Sequence, residues 1–391
     1  MSQRANRSAL WSGAFRPFFI LASLASVFSL AVWLLYLNKG EVLSHQQLLP
    51  PLLWHVHEMF FAFTLTIAVG FLLTAVQTWT GLKSLQGLAL IFLSIIWITI
   101  RFLLLVNQSD FPGLLSLVLT LQTIWWLIVL FTFFRLIIKS KSKRNYILLP
   151  LMFVLMLLQL SFLYWGNQED LGLVIHLARS AILVFAIVVA IIAGRVIPLF
   201  TRNALQVSEK VKSVPQLDRA ILLFSLVGCS NFFFSYFYDL PINPGWALLL
   251  VGILHLARLS QWASIYTLHN PLLWSLHVAY FCLASGLILI AASFYSEQVR
   301  IADAFHLVTV GVFGGMILSM ISRVSLGHTG RPLRVNNWIA LSFVLIFIAV
   351  LLRVVLAILG QPLWAWNSSA LLWISAYLIF LKFYTPILFK Y

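Results

Sequence analysis

Charge is what this chain has least of. Only 9% of its 391 residues are Asp, Glu, Lys or Arg, and the acidic ones number 10. Soluble globular domains carry about 25% charged residues. With 62% hydrophobic residues and a mean hydropathy of +1.00, a water-soluble globule is excluded. Cysteine is scarce too: Cys229 and Cys282 both lie in apolar runs, which excludes a disulfide framework or a thiolate cluster and leaves them as core packing. Internal repeats, low-complexity tracts and connectors long enough for a soluble domain are absent. The longest polar loops, 38–51 and 203–218, serve as linkers or lids. No cleavable signal peptide is evident, because the first apolar run is long and lacks a small-residue cleavage site, so it is expected to remain as the first span.

What the chain has instead is apolar stretches of about 20 residues, each able to cross the hydrocarbon core as a helix. They predict an all-α polytopic membrane protein of about twelve transmembrane helices forming a single domain over 1–391. The predicted spans are 17–37, 54–76, 87–106, 113–138, 146–165, 171–192, 220–238, 246–266, 272–294, 301–321, 338–358 and 363–383. Orientation follows from the cations, which are retained on the cytoplasmic side. Arg4 and Arg7 precede the first span, and Lys83, Lys139, Lys141, Lys143, Arg144, Arg202, Lys210, Lys212, Arg219, Arg331 and Arg334 fall in loops of the same side. The opposite loops hold Glu41, Asp110, Glu169, Asp170, Asp239 and Glu297, with Lys39 and Arg300 as the basic exceptions. Both termini are therefore expected in the cytoplasm. The net charge of +15 follows this pattern and requires no polyanion, so nucleic acid is not an expected partner; the lipid bilayer is.

Polar groups inside spans are costly, at ~2.5–3.5 kcal/mol for a central Arg, Lys or Asp, and normally face an interior site or water. Here they fall into two depth layers. His55, His57 and Glu58 open the second span from outside; His176 and Arg179 lie early in the sixth, and Asp303 and His306, spaced i and i+3, early in the tenth. The inner layer holds His277, ~7 Å into the ninth span at 1.5 Å per residue, then Arg323 and a predicted loop over 325–332 containing His328 and Arg331. His255 and Arg258 fall between the layers, while His45 and His269 read as loop residues. Neutral imidazole is the common ligand for iron, copper and zinc, so several His at one depth make a metal or haem site the natural hypothesis.

Geometry limits how the second span works. On an α-helix residues i and i+2 point ~200° apart, so His55 and His57 do not easily share a metal, whereas Glu58 lies on the face of His55. Either the helix starts irregularly after Pro50 and Pro51, or the two His serve different centres. In the tenth span Gly311, Gly314 and Gly315 leave a groove that accepts a flat macrocycle or, as glycines alone favour, ordinary helix packing.

The residues also carry a resemblance. Trp11-Ser12-Gly13-Ala14-Phe15-Arg16-Pro17-Phe18-Phe19, Trp54-His55-Val56-His57-Glu58-Met59, Gly70-Phe71-Leu72-Leu73-Thr74-Ala75 with Trp79-Thr80-Gly81, and Gly194-Arg195-Val196-Ile197-Pro198 with Phe200-Thr201 form its first blocks. Pro271-Leu272-Leu273-Trp274 with Leu276-His277, His306 before the glycines, and Ser322-Arg323-Val324-Ser325-Leu326-Gly327-His328-Thr329-Gly330-Arg331 complete it. In these blocks the chain resembles the NnrS family of bacterial membrane proteins. The resemblance implies a polytopic inner-membrane protein containing haem and copper, linked to nitric oxide and nitrosative stress in denitrifying and pathogenic bacteria, without a settled reaction.

Metal or haem ligation is transferred to His55, His57, His277, His306 and His328 as a group, with His176 and His255 as second choices. The competing reading of each is a hydrogen-bonded packing residue, or for His328 a helix cap. Arg323 and Arg331 are expected either to neutralise haem propionates or to anchor the protein as inside-positive charges; Arg16, Arg195 and Arg202 share that ambiguity. Glu58 is the carboxylate expected to carry chemistry, against a structural hydrogen-bond role. The expected function is a haem- and copper-dependent protein that binds or detoxifies nitric oxide, as an oxidoreductase if an unidentified electron donor serves it. The alternatives are a transporter or channel for protons, copper or haem, and a non-catalytic nitric oxide sensor or scaffold.

Overall fold

The computed structural model describes residues 9–40, 47–106, 110–168, 170–205 and 208–390. Arg4, Arg7, Glu41, His45 and Glu169 lie outside the described residues. The chain is helical throughout, with no strand among the described residues.

A helix stands at each of the twelve predicted positions. They are α1 (Phe15–Lys39), α2 (Pro51–Thr80), α3 (Leu88–Leu103), α4 (Leu114–Lys139), α5 (Leu148–Gly166), α6 (Leu171–Leu205), α7 (Pro215–Phe234), α8 (Pro244–Leu259), α9 (Pro271–Ala292), α10 (Ile301–His328), α11 (Asn337–Ile358) and α12 (Pro362–Phe389). Ten are long and apolar enough to cross a membrane. The exceptions, α3 and α8, have 16 residues each, about 24 Å at 1.5 Å per residue against a core of about 30 Å. The chain is thus a multi-pass membrane protein by length and composition.

Local sequence explains the helix ends. Proline opens α2, α7, α8 and α9 where its missing N–H costs nothing. Asn243, Asn270 and Asn336 cap α8, α9 and α11 through their side-chain oxygens.

Two helices outrun their predicted ends. Helix α6 continues past residue 192 to Leu205 through Pro198, and Thr201 Oγ1 donates to the Ile197 carbonyl at 2.9 Å; such hydroxyls re-satisfy backbone near a helical proline. Helix α10 continues to His328, so the predicted loop 325–332 begins as helix, because nothing before Thr329 and Gly330 breaks the pattern. Two stretches are π-helical: His57–Thr64 within α2 and Leu307–Met316 within α10. Each begins at or just after a histidine of interest. Thr64 Oγ1 reaches the carbonyl five residues back, on Met59, at 3.0 Å, in step with the i→i+5 bonding of such turns, which are rare and frequent at functional sites.

The chain packs as two compact units. The first comprises Met1–Ala181, Val324–Pro332 and Leu381–Tyr391. In it α1 packs on α2, α3 on α4 and α4 on α5, around Phe18, Phe63, Trp126 and Phe162. Gly70 permits the α1–α2 approach: a Cβ there would lie 3.0 Å from Cβ of Phe18. The second comprises Ile182–Arg323 and Leu333–Phe380. There α7 packs on α8, α8 on α9, and α10 on both α9 and α11, around Trp262, Tyr280, Phe313 and Phe343. Large apolar side chains such as Phe28, Phe131 and Leu351 point outward, as a lipid-facing surface requires and an aqueous one does not tolerate in quantity.

Candidate functional site

In the first unit the π turn of α2 assembles a buried polar chain. Trp126 Nε1 donates to Gln159 Oε1 at 2.7 Å, which directs the amide nitrogen of Gln159 to His57 Nε2 at 3.2 Å. Because the amide N–H donates, His57 Nε2 accepts, and the ring proton lies on Nδ1 facing Glu58 Oε1 at 3.0 Å. Arg101 on α3 closes the chain with its Nε 3.5 Å from the same carboxylate oxygen. His57 is fully buried and Glu58 nearly so, and the rings of Phe61 and Phe162 flank the imidazole. Arg101 lies against Trp97, whose indole N–H donates to Thr66 Oγ1 at 2.7 Å.

Sequence geometry paired Glu58 with His55. The structure pairs it with His57 and Arg101, since the widened turn beginning at His57 narrows the angle between successive side chains. His55 instead stacks on Trp33 of α1, with ring centroids 4.4 Å apart at 15°. The helix start at Pro51 is regular, so the two imidazoles occupy separate surroundings on either side of the change from α to π at His57.

His328, the last residue of α10, is exposed, with its ring 5.5 Å from that of Phe15. Arg16 next to it in sequence from Phe15 donates from Nη1 to the carbonyls of Leu388 and Lys390, both at 2.7 Å, so it ties down the end of α12. Arg331 is exposed, and His176 is buried in the first turns of α6.

The second unit holds three more imidazoles in polar clusters. His306 Nδ1 lies 2.6 Å from the Ala302 carbonyl and 3.1 Å from Nη2 of Arg353, and Arg353 Nη1 pairs with Asp303 at 2.7 Å. So short a contact with a carbonyl oxygen requires Nδ1–H, which leaves the ring lone pair on Nε2 and makes the Arg353 Nη2 contact with Nδ1 one of proximity, not a hydrogen bond. His277 is bonded on both sides: Ser264 Oγ lies 2.9 Å from Nδ1, and Thr201 Oγ1, already donating to Ile197, lies 2.9 Å from Nε2 and so accepts from it. His255 Nδ1 lies 2.7 Å from the hydroxyl of Tyr280, which Arg258 also contacts at 3.2 Å. Arg323 is buried with its guanidinium 3.8 Å above the ring of Phe200.

The three glycines of α10 receive protein side chains. A Cβ on Gly311 would meet Cys282 at 2.7 Å and one on Gly315 would meet Phe347 at 2.7 Å, while Gly314 is covered by Trp373. They serve close helix packing, and the macrocycle groove is filled. Around His277, Trp274 faces Phe343 and Phe347, Tyr280 turns to His255, and Trp262 stands edge-on to His277 at 6.2 Å.

Sequence reading missed Arg101, Gln159, Trp126 and Arg353. Arg101 and Arg353 carried a usable signal, as lone cations inside apolar runs. Gln159 and Trp126 carried none, since one amide and one indole in apolar helices acquire meaning only once paired.

These features define a multi-pass helical membrane protein whose spans bury polar clusters built around neutral imidazoles. Residues 9–391 match the family model described as NnrS protein, and the chain belongs to that family. No curated protein matches the sequence.

Proposed function

We propose that this protein is a haem-bearing protein of the bacterial inner membrane that binds nitric oxide and limits nitrosative stress. Family membership over 9–391 and the multi-pass helical fold fit a nitric oxide-related membrane protein. The observation that carries the haem reading is the chemistry of His306. Its Nδ1–H is committed to a backbone carbonyl, the second-sphere bond that orients a metal-ligating imidazole and makes Nε2 the donor. Haem asks the protein for one or two axial ligands; His306 and His55 are half-buried and His328 is exposed. His57 and His277 would have to exchange Gln159 or Thr201 and Ser264 for a metal. Among the described residues no three His, Cys, Asp or Glu side chains gather as a metal-binding group, so the donor set does not fit a three-ligand copper site and no step is assigned to copper.

When bound, haem supplies an iron position at which nitric oxide coordinates. The chain's own residues prepare that position. Asp303 fixes Arg353 beside the imidazole, and the Ala302 carbonyl, accepting from Nδ1–H, fixes the ring of His306. Nitric oxide is small and uncharged, so it reaches a site among apolar helices through lipid without a polar channel. Arg323 lies on the same helix about 25 Å beyond His306 at 1.5 Å per residue, too far to serve the propionates of a haem held there, and its guanidinium covers Phe200. Glu58 Oε1 accepts the hydrogen bond of His57 Nδ1–H, and Gln159 holds His57 Nε2 from the other side, so the imidazole is fixed as the Nδ1–H tautomer.

The test is the optical spectrum of the purified protein before and after anaerobic nitric oxide. A haem band that shifts on addition supports the proposal. Fully folded protein without a haem band, or with a band that nitric oxide leaves unmoved, overturns it.

A further inference from the structure

The second unit contains a buried phenol and imidazole that the proposal above does not use. Tyr280 of α9 is 0% exposed and His255 of α8 1%. Arg258 is a donor only, so its Nη1, 3.2 Å from Oη, occupies a phenol lone pair. The Tyr280 O–H is therefore left to point at His255 Nδ1, 2.7 Å away, and His255 is the Nε2–H tautomer. Arg258 is itself fixed by the Ala190 carbonyl at 3.1 Å and by Asp218 at 2.8 Å, so its cation is paired. Gly194 on α6 makes room for it, since a Cβ there would collide with the guanidinium. Trp262 lies against this pair with its ring 4.5 Å from that of Tyr280, and it reaches His277 at 6.2 Å.

A phenol that loses one electron must also lose its proton, and in a site closed to water the proton goes to whichever base already holds the hydrogen bond. Here that base is a neutral imidazole at short range, and an indole in contact offers the electron a route. We propose that Tyr280 and His255 form a proton-coupled redox pair. Tyr280 yields one electron to a small, uncharged one-electron oxidant of the nitrogen dioxide class, which becomes nitrite. In the same step the Tyr280 O–H bond breaks and the proton forms an N–H bond on His255 Nδ1, leaving a neutral tyrosyl radical beside an imidazolium. A one-electron reductant reverses both transfers. The electron leaves through Trp262, so the nitrite forms outside the buried pair, which ions do not enter. The oxidant's nitrogen oxide identity rests on the nitric oxide reading; the pair itself requires no haem.

The experiment exposes the purified protein in lipid nanodiscs to nitrogen dioxide generated by pulse radiolysis and follows the tyrosyl radical by electron paramagnetic resonance and transient absorption. The wild type forms a radical that Tyr280→Phe loses. His255→Phe slows its formation by about 10²-fold, the lower range for a positioned proton acceptor. A radical of unchanged yield in Tyr280→Phe, or an unchanged rate in His255→Phe, overturns the pair. If Tyr280→Phe does not fold, 3,5-difluorotyrosine placed at 280 keeps the hydroxyl: fluorine splitting of the signal supports the assignment, and its absence overturns it. Failure here leaves the haem spectrum of the protein untouched, so the two proposals fall separately.

Discussion

Replacing Arg101 by Met leaves the Glu58 carboxylate buried without its cation. The pair stands at 3.5 Å with Arg101 12% and Glu58 5% exposed at the side chain. At an effective dielectric of about 20 the attraction at that distance is ~5 kcal/mol, and breaking one side of a buried pair costs ~3–5 kcal/mol because the other charge remains. Glu58 also keeps His57 Nδ1 as a donor, which offsets part of the loss, so Arg101→Met is expected to destabilise by ~3 kcal/mol. The double variant Glu58→Gln, Arg101→Met removes both charges and is expected to recover most of that stability. Unfolding in mixed micelles with increasing SDS, followed by tryptophan fluorescence, measures both, since Trp97 lies 5.2 Å from the guanidinium. Stability of Arg101→Met within about 0.5 kcal/mol of wild type, the range of neutral surface changes, refutes the reasoning. So does a double variant no more stable than the single one.

Other consequences are simpler. Gln159→Leu strips partners from Trp126 Nε1 and His57 Nε2 at once and is expected to cost ~2–6 kcal/mol at ~1–3 per orphaned group, read by the same SDS titration; a loss below 1 kcal/mol contradicts the chain of bonds. Gly252→Val should disrupt α8 against α9, since a Cβ at Gly252 would already lie 2.6 Å from Ile288 and 2.9 Å from the Ala284 carbonyl, at a cost of ~1–3 kcal/mol visible as a lower unfolding midpoint. Arg16→Ala removes two charge-assisted bonds to the end of α12. The C-terminal segment should then be cut by protease several-fold faster than in wild type, and Arg16→Lys should restore only part of the protection.

Most of the helical architecture was legible because it depends on run length, which composition displays directly. All twelve predicted positions hold helices, and the proline and asparagine starts of α8 and α9 are local signals. Helix ends at Leu205 and His328 were not legible, since Pro198 and the polar run after Arg323 look like breaks until Thr201 and the packed neighbours compensate. The π turns escape sequence reading because i→i+5 bonding is a backbone choice that no residue type encodes. The site was legible by residue type and illegible by partner. His57, Glu58 and His306 stood out as ionisable groups in apolar runs, yet their neighbours Gln159, Arg101 and Arg353 come from helices distant in sequence. Tyr280, three residues after His277 on α9, is bonded to His255 of α8.

The central claim, that a haem is held through His306 Nε2, is tested most directly by the haem-to-protein ratio and optical spectrum of His306→Ala set beside His277→Ala. The account predicts that His306→Ala, purified folded, loses the haem band or shows a changed axial ligand, while His277→Ala keeps both ratio and spectrum. Full haem with an unaltered spectrum in His306→Ala would contradict it, and so would loss confined to His277→Ala.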